Sequence, residues 1–352
     1  MKRLAVVTII LSLCLGVAPG AMALPFPITD VRALGMGGAF VAAGEGISAV
    51  QYNPALLGKD STVGVSLPEM VLRIEDNIGM VDLIDEFNDP GTIPTRKIAI
   101  LNELEDAGSV NITGHGSVGA GFGAFGLSMG ITYSDHISGV VFADNVTATL
   151  LTQEATVEFR GIDAKQIILS GAKSFGDFII GGNVRNIDAT TYSYSEDITA
   201  DPDIGLSEIT DGAEGSESAL AVDAGLFMNL LPLVDVGVIA KDINGPKLGE
   251  IKFDPRYRIG VALNLPMITI AADYDVGENS VEDGTEYQEW AVGAEFDLWA
   301  IALRAGMSQN TGQSGAPTML HLGVGLGFID IGAAYAEEGD YYIAGANLSL
   351  GF

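Results

Sequence analysis

The sequence is short of cysteine and of basic residues. Its 352 residues include one cysteine, Cys14, and 17 Lys and Arg against 46 Asp and Glu, which gives a formal net charge of −29. A protein that binds nucleic acid must neutralise phosphates with Lys and Arg, so this balance argues strongly against nucleic-acid binding. A single cysteine allows no disulfide within the chain. Stability must therefore come from packing.

Long apolar runs are also missing, except at the N-terminus. There, two basic residues precede an apolar run over 4–17, and a small-residue cleavage pattern ends at Ala23, as in a secretory signal peptide. About 14 apolar residues are too few for a membrane-spanning helix, which needs roughly 20. Cys14 follows Leu13 rather than a small residue, so the run matches a lipoprotein signal poorly. We expect cleavage after Ala23, which leaves 15 basic and 46 acidic residues and a net charge of about −31 in the exported chain.

The rest of the chain alternates between apolar and polar residues. The alternation recurs at spacings of roughly ten residues from about 61 to 352, which predicts β-strands. A hydrophobic content of 48% beside a strong negative charge is unusual for a soluble protein, whereas a membrane barrel places its apolar face in lipid and its acids in loops and lumen. The last strand is the clearest case, with one face formed by Tyr342, Ala344, Ala346, Leu348, Leu350 and Phe352.

Connection lengths favour a membrane barrel over the alternative, a soluble β-sandwich. Short turns at one rim and long loops at the other are typical of transmembrane barrels. We therefore predict an all-β fold, a transmembrane antiparallel β-barrel of about 14 strands over residues 59–352. Strand and loop are hardest to separate over 137–161. The short connections are at 123–124, 176, 230–233, 265–266, 298–299 and 328–329, and the longer ones are at 75–108, 137–155, 196–216, 242–254, 278–284, 309–316 and 337–340.

Residues 24–58 carry the most distinctive motifs of the chain, a glycine-rich stretch with Gly35, Gly37 and Gly38, and the box Asn53-Pro54-Ala55. The glycines lack the third position of a dinucleotide-binding loop, and no βαβ unit follows them. Glycines this close together allow positive φ angles and close backbone packing. Asn-Pro favours a turn.

With these motifs the sequence resembles the FadL-like outer-membrane barrels, most closely the conjugal-transfer TraF-like branch and more distantly the PorV-type secretion proteins. The resemblance implies a fourteen-strand barrel whose N-terminal residues 24–58 fold inward as a plug, held by Asn53, Pro54 and Ala55 near the periplasmic end of the lumen. The alternative is a structural lead-in to the first strand. Supporting stretches lie at 240–246, 257–262, 292–296 and 303–306.

Charged residues keep to one face of four consecutive predicted strands. They could form a ladder of opposite charges across the lumen. Such a ladder would rigidify the lumen or, alternatively, act as a selectivity filter. In either case these charges argue that their face does not contact lipid. The residues are Arg256, Arg258, Asp273, Asp275, Glu289, Glu295 and Arg304.

The connection over 75–108 contains an apolar cluster, Met80, Leu83, Ile84 and Phe87, with some helical character. In FadL-type transporters the outer loops provide the first landing site for a hydrophobic substrate, so the resemblance makes this cluster a candidate landing site. The alternative is a self-packed loop that covers the barrel mouth.

The C-terminal residues Leu348, Leu350 and Phe352 look like the signal that the outer-membrane barrel assembly machinery recognises. The acidic connection over 195–218 fails the EF-hand spacing, so we expect a solvated loop and no built metal site. His115, His136 and His321 fall in no nucleophile or metal-ligand motif. A lipase-like pairing of His321 with a serine on a neighbouring strand is the one catalytic alternative, and we expect neither an enzyme nor a cofactor.

Two functions remain from the sequence. The first is passive transport of small hydrophobic molecules across the outer membrane, with lipid and the assembly machinery as partners. The second is a structural or docking component of a conjugation or secretion apparatus, with an apparatus protein as partner. The fold alone cannot choose between them.

Overall fold

The computed structural model describes residues 26–59, 64–76, 80–107, 109–149, 152–198, 213–249, 251–280, 286–313, 316–336 and 341–351. Fourteen antiparallel strands close into one barrel, because β1 pairs with both β2 and β14. The strands are β1 Gly64–Asp76, β2 Ser109–Ala124, β3 Leu127–Ala148, β4 Gln153–Phe175, β5 Phe178–Asp197, β6 Ala213–Leu231, β7 Val234–Lys241, β8 Arg256–Leu265, β9 Ile268–Asp275, β10 Glu289–Asp297, β11 Ile301–Asn310, β12 Met319–Leu326, β13 Ile329–Ala336 and β14 Tyr341–Gly351.

The two rims of the barrel differ as the sequence predicts. Six tight turns join β2–β3, β4–β5, β6–β7, β8–β9, β10–β11 and β12–β13 at what we call the tight-turn rim. The start of β1 and the end of β14 lie at the same rim, because the strands alternate in direction. The other connections lie at the long-loop rim, where residues 247–252 and 279–287 include two short hairpins. The predicted fourteen-strand count is confirmed.

One predicted connection is wrong in extent. The long connection expected over 137–155 is mostly strand, since β3 continues to Ala148 and β4 begins at Gln153. Strands β2–β6 are 16, 22, 23, 20 and 19 residues long, whereas β7–β14 are 8 to 11 residues long. The wall is therefore taller on the β2–β6 side.

Apolar side chains cover the outer face of the barrel. Successive side chains of a strand point to opposite faces, so an exposed apolar residue on alternate positions defines the outward direction. This belt has the pattern of a lipid-facing surface. It includes Met70, Leu72, Ile131, Leu169, Ile180, Leu220, Val261, Ile270, Val292, Leu303, Leu322, Val324 and Ile331.

Two longer helices, α2 Met80–Asn88 and α3 Pro94–Ala107, lie in the connection between β1 and β2. A shorter helix, α1 Val31–Gly35, precedes the barrel. Among the residues that the structure describes, none of these helices is long and apolar enough to cross a membrane.

Candidate functional site

Residues 26–59, which we call the N-terminal segment, pack against the inner side of the barrel wall. The segment contains α1 and two 3₁₀ turns, Ser48–Gln51 and Pro54–Gly58. Its apolar side chains are almost fully buried, and most of them form one cluster with wall residues of alternate, inward parity. The wall members of this cluster are Ala172, Ile179, Phe227, Ala262, Ala271 and Ala291.

Asn53 joins the N-terminal segment to the wall near the tight-turn rim. Its Nδ2 donates to the carbonyls of Val41 and of Leu226 on β6, both at 3.0 Å, and its Oδ1 accepts from Ala55 N at 3.1 Å. The side chain is fully buried. One amide thus satisfies three backbone groups that burial would otherwise leave unpaired, which explains why Asn rather than an apolar residue precedes Pro54.

Glycines on both sides allow the two backbones to approach closely. Gly37 and Gly38 have φ of +72° and +90°, as the motif predicts. On the wall, a Cβ at Gly225 would lie 2.1 Å from Asn53 Oδ1, and one at Gly237 would lie 2.2 Å from Val41 O. At these positions the wall backbone approaches the segment this closely only because it carries no side chain.

Buried polar side chains of the wall take up backbone groups of the segment. Asp273 Oδ2 accepts from Phe40 N at 2.7 Å and from Val41 N at 2.9 Å, and Glu69 Oε1 accepts from Val31 N at 2.6 Å. His321 Nδ1 lies 2.9 Å from Leu34 O, to which it donates. Its Nε2 lies 3.0 Å from Ser308 Oγ. The serine neighbour of His321 thus exists, but the ring is oriented by a carbonyl of the segment rather than by a carboxylate.

Five of the seven predicted ladder residues form two separate groups of ion pairs. In the first, Arg304 pairs with Glu295 at 2.6 Å and with Asp330 at 2.5 Å, and Arg32 of the N-terminal segment also reaches Glu295 at 2.6 Å. Asp273 belongs to neither group, because its carboxylate serves the segment's backbone.

The second group lies toward the long-loop rim. Arg258 pairs with Asp275 at 2.5 Å and with Glu289 at 2.9 Å. Arg256 instead pairs with Asp242 at 2.6 Å, which also contacts Arg185. Sequence reasoning missed Arg32, Glu69, Arg185, Asp223, Asp242 and Asp330. Those that lie on strands occupy inward-facing positions, but this could identify them only once the register of their strand was known.

Asp30 caps α1 inside the lumen. Its side chain accepts from Ala33 N at 3.0 Å and from Ser48 Oγ at 2.5 Å. Burial raises the pKa of the Asp30 carboxyl above its ordinary value, although these two donors and the nearby Arg32 guanidinium favour the charged form. The Asp30 side chain therefore stabilises the start of α1 through the hydrogen bonds that it accepts, and not through its charge.

The candidate landing residues pack against the wall and are not an open patch. Met80 and Phe87 are 1% exposed, and Leu83 and Ile84 are half-buried. With α3 they cover Val110, Val141 and Val157, which have the strand parity of the outward-pointing side chains lower on β2–β4. The two helices, which we call the helical cap, therefore pack on the outer side of the tall wall.

The first described residue, Phe26, lies over basic side chains near the long-loop rim. Its ring centroid is 4.4 Å from Arg258 Cζ, 5.1 Å from Arg256 Cζ and 5.5 Å from Lys241 Nζ. Phe26 is 6% exposed and adjoins a cavity of about 50 Å³ that is also lined by Ile28 and Glu289.

The remaining predicted residues lie at the edge of the described structure. Leu348 and Leu350 belong to β14, where they pair with Ile329 and Val65, and Phe352 lies outside the described residues. Most of the acidic connection also lies outside them. Within the described residues, no group of three or more His, Cys, Asp or Glu side chains is arranged to hold a metal ion.

Comparison with known families agrees with this geometry. A family model described as "F plasmid transfer operon, TraF, protein" matches residues 50–275, almost two thirds of the chain. The chain belongs to this TraF family. No curated protein sequence matches it significantly. The match begins just before the Asn53-Pro54-Ala55 box and ends with β9. It therefore covers the last part of the N-terminal segment and the long strands of the tall wall.

Solved structures share the fold of this TraF-family chain. The Ralstonia pickettii toluene transporter TbuX has a TM-score of 0.60 and 12% identity over 91% of this chain and 97% of that chain. The Pseudomonas putida toluene transporter TodX has a TM-score of 0.57 and 10% identity over 94% and 98%. The monoaromatic hydrocarbon channel CymD has a TM-score of 0.59 and 12% identity over 91% and 96%. These matches confirm the resemblance to the TraF-like branch as a family and to FadL-like barrels as a fold.

Proposed function

We propose that this TraF-family protein is an outer-membrane channel for passive uptake of small hydrophobic molecules, with the N-terminal segment as its plug. One arrangement carries the proposal. The outer face of the barrel is apolar, and the N-terminal segment is attached to the inner face by reversible polar contacts, above all those of Asn53 and Asp273. A plug held by hydrogen bonds and ion pairs can shift without unfolding the barrel. The channels of the same fold carry toluene and other monoaromatic hydrocarbons, which supports the substrate class.

The chain's two ends have their own roles in this proposal. Residues 1–23 direct export and are removed after Ala23, and the C-terminal residues Leu348, Leu350 and Phe352 are read by the barrel assembly machinery. The tight-turn rim then faces the periplasm and the long-loop rim faces outward. The helical cap, with Met80, Leu83, Ile84 and Phe87, is the first landing site of a hydrophobic molecule. The molecule enters between the cap and the wall when the two helices loosen from it. No catalytic step is part of the proposal.

The test is uptake into cells of a Gram-negative host whose own hydrocarbon channels are deleted. Expression of the full chain should raise the initial uptake rate of a radiolabelled hydrocarbon above that of the empty host. Asn53→Ala, which removes the donor to the carbonyls of Val41 and Leu226 and so loosens the plug, should raise the uptake rate above that of the wild type. Equal uptake with and without the protein would refute transport.

A second candidate is a structural or docking component of a conjugation or secretion apparatus. The family's description favours it, and so does the helical cap, which packs on the outer side of the tall wall and adds surface there on which another protein could dock. Crosslinking in cells should then recover an apparatus protein, and deletion should impair transfer or export. Normal transfer and export after deletion would exclude this role.

A further inference from the structure

Two histidines that lie far apart in the sequence meet on the inner wall of the barrel. His115 on β2 is directly opposite His136 on β3, and residues in such positions have Cβ atoms about 4.5–5.5 Å apart. Both point inward, because Val118 and Ile137, which have the other strand parity, are exposed on the outer face. The register of the two strands therefore brings together a pair that the spacing in the sequence does not reveal.

Each of the two rings carries a nitrogen that the rest of the fold leaves unpaired. The Nδ1 atoms of His115 and His136 are buried and have no hydrogen-bond partner within the described residues. The same holds for the hydroxyl of Ser134, the next inward residue of β3. Buried polar groups in folded proteins nearly always have a partner. An apolar pair would fill this space without the cost of unpaired groups, so packing alone does not explain two imidazoles here.

His321, which is also buried on the inner wall, shows the contrast. Its Nδ1 donates to Leu34 O at 2.9 Å, and its Nε2 lies 3.0 Å from Ser308 Oγ. Both ring nitrogens of His321 are thus occupied by the protein itself, as expected for a histidine that only supports the fold. The His115–His136 pair lacks such partners at Nδ1.

The distance between the two rings fits a shared metal ion. Their centroids are 6.1 Å apart and their planes are inclined by 49°, so the rings are not stacked on each other. A metal ion lies about 2.0–2.1 Å from an imidazole nitrogen, which sets two such centroids about 5 Å apart at a tetrahedral angle and at most about 6.4 Å apart when the ion lies directly between them. Small side-chain rotations are therefore enough for both rings to bind one ion.

Gln51 of the N-terminal segment can fix the tautomer of His115. Its amide lies beside the ring, with Gln51 Nε2 at 3.4 Å from His115 Nε2. Either the oxygen or the nitrogen of a side-chain amide can take this position. When the oxygen does, it accepts the proton of His115 Nε2 and leaves the lone pair on Nδ1. Metal-binding histidines usually donate their second ring N–H to an acceptor in this way.

We propose that His115 and His136 form a two-histidine site for a divalent ion of the late first-row transition metals, with Gln51 as its positioning residue. Neutral imidazole is a ligand that copper, nickel and zinc ions favour. Since no group of three or more His, Cys, Asp or Glu side chains gathers among the described residues, the remaining coordination positions go to solvent and the ion binds reversibly. The inference goes beyond the proposed transport function and does not depend on it.

The test uses Cu²⁺ as the probe, because copper binds nitrogen ligands most tightly among the first-row divalent ions. The full chain is purified from outer membranes in detergent, without a polyhistidine tag, and titrated with Cu²⁺. The wild type should bind a single ion whose electron paramagnetic resonance spectrum shows superhyperfine splitting from two nitrogens. Carboxylates of the acidic loops give no such splitting, because the common isotope of oxygen has no nuclear spin.

Four variants assign the ligands. His115→Gln and His136→Gln should each weaken Cu²⁺ binding at least about tenfold and remove the two-nitrogen pattern, since loss of a ligand costs no less than loss of its hydrogen-bond partner. Gln51→Leu should weaken binding about tenfold and keep the two-nitrogen pattern, because both ligands remain. The matched control is His321→Gln, which removes the other buried histidine and should change neither the affinity nor the spectrum. Heat-modifiable migration on SDS gels shows that each variant forms the closed barrel.

The site is wrong if the affinity is unchanged in either His115→Gln or His136→Gln, because the ion needs both rings. It is also wrong if His321→Gln loses as much affinity as these two variants, since copper would then bind histidine without regard to the pair. An unchanged affinity in Gln51→Leu would remove Gln51 from the site. None of these measurements uses a hydrocarbon, so failure of the transport function and failure of this inference are distinguishable.

Discussion

Asn53 concentrates the attachment of the N-terminal segment in one side chain. Replacing it with alanine leaves the buried carbonyls of Val41 and Leu226 without this donor, which costs about 1–3 kcal/mol for a buried unsatisfied group. In Asn53→Ala we expect amides 49–57 to exchange with deuterium at least several-fold faster, while the barrel still migrates as a closed form. The control is Asn264→Ala, which removes a bond to Asp235 on the wall away from the segment. Equal exchange in the two variants would contradict the assignment.

Asp30 is buried as a helix cap, and its charge opposes docking. Because its pKa is raised above 3.8 in the folded protein, the folded state holds the proton more tightly than the unfolded state. Docking of the segment therefore weakens as the pH rises from about 4, once the carboxyl must ionise. Asp30→Asn should remove the contribution of Asp30 to this pH dependence and keep the cap, since Asn caps as well as Asp does.

Asp30→Ala is the matched contrast. It loses the acceptor for Ala33 N and should cost about 1 kcal/mol, seen as faster deuterium exchange at residues 31–36 than in Asp30→Asn at pH 7. If Asp30→Asn exchanges as fast as Asp30→Ala, the charge itself stabilises the segment.

At the scale of elements, strand number and turn position could be read from the sequence because alternation and connection length are local properties. The extension of β3 and β4 could not be read from the sequence, because the apolar pattern around residues such as Val141 and Val157 fits a strand and an apolar loop equally well. What makes them strand is the covering by α2 and α3, a tertiary contact. Two cross-strand pairs of opposite lumen charge, Arg258–Asp275 and Glu295–Arg304, follow from strand parity. The partner of Arg256 does not, because Asp242 comes after the end of β7 and is brought to Arg256 by a tertiary contact.

The helical cap should detach independently of the barrel. Leu104 is 1% exposed in the cluster between α3 and the tall wall, and Leu→Ala at such a site costs about 2–5 kcal/mol. We expect Leu104→Ala to make residues 80–107 sensitive to protease at concentrations that leave the wild type intact, with unchanged heat-modifiable migration. Ile93→Ala, at a side chain 63% exposed between the two helices, is the control. Resistance in both variants would mean that the cap is held by its ends rather than by this cluster.

At the scale of the whole molecule, the apolar belt and the two rims determine how the barrel sits in a membrane. The inner face carries glycine, small residues and paired charges, whereas the outer face carries Leu, Ile, Val and Met. A one-residue shift of any strand would exchange its two faces. The strand register therefore determines both which side chains face the membrane and how the N-terminal segment fits inside. In the proposed function, the long-loop rim faces outward, as in other transmembrane barrels.

The two tryptophans of the chain report this placement. Trp290 has outward parity near the long-loop end of β10, and Trp299 is 99% exposed in the turn after β10 at the tight-turn rim. Nine residues of a tilted strand separate them by about 20–25 Å, close to the roughly 25 Å height of the apolar band of such barrels. Both should therefore lie at the membrane interfaces, where tryptophan is favoured.

In bilayers with brominated lipids, bromine near the carbonyl end of the acyl chain should quench their fluorescence more than bromine near the methyl end. Trp299→Phe leaves Trp290 alone and should give the same depth order. Strongest quenching from the methyl end would place β10 elsewhere in the bilayer, and no quenching by either lipid would show that the apolar belt does not face lipid.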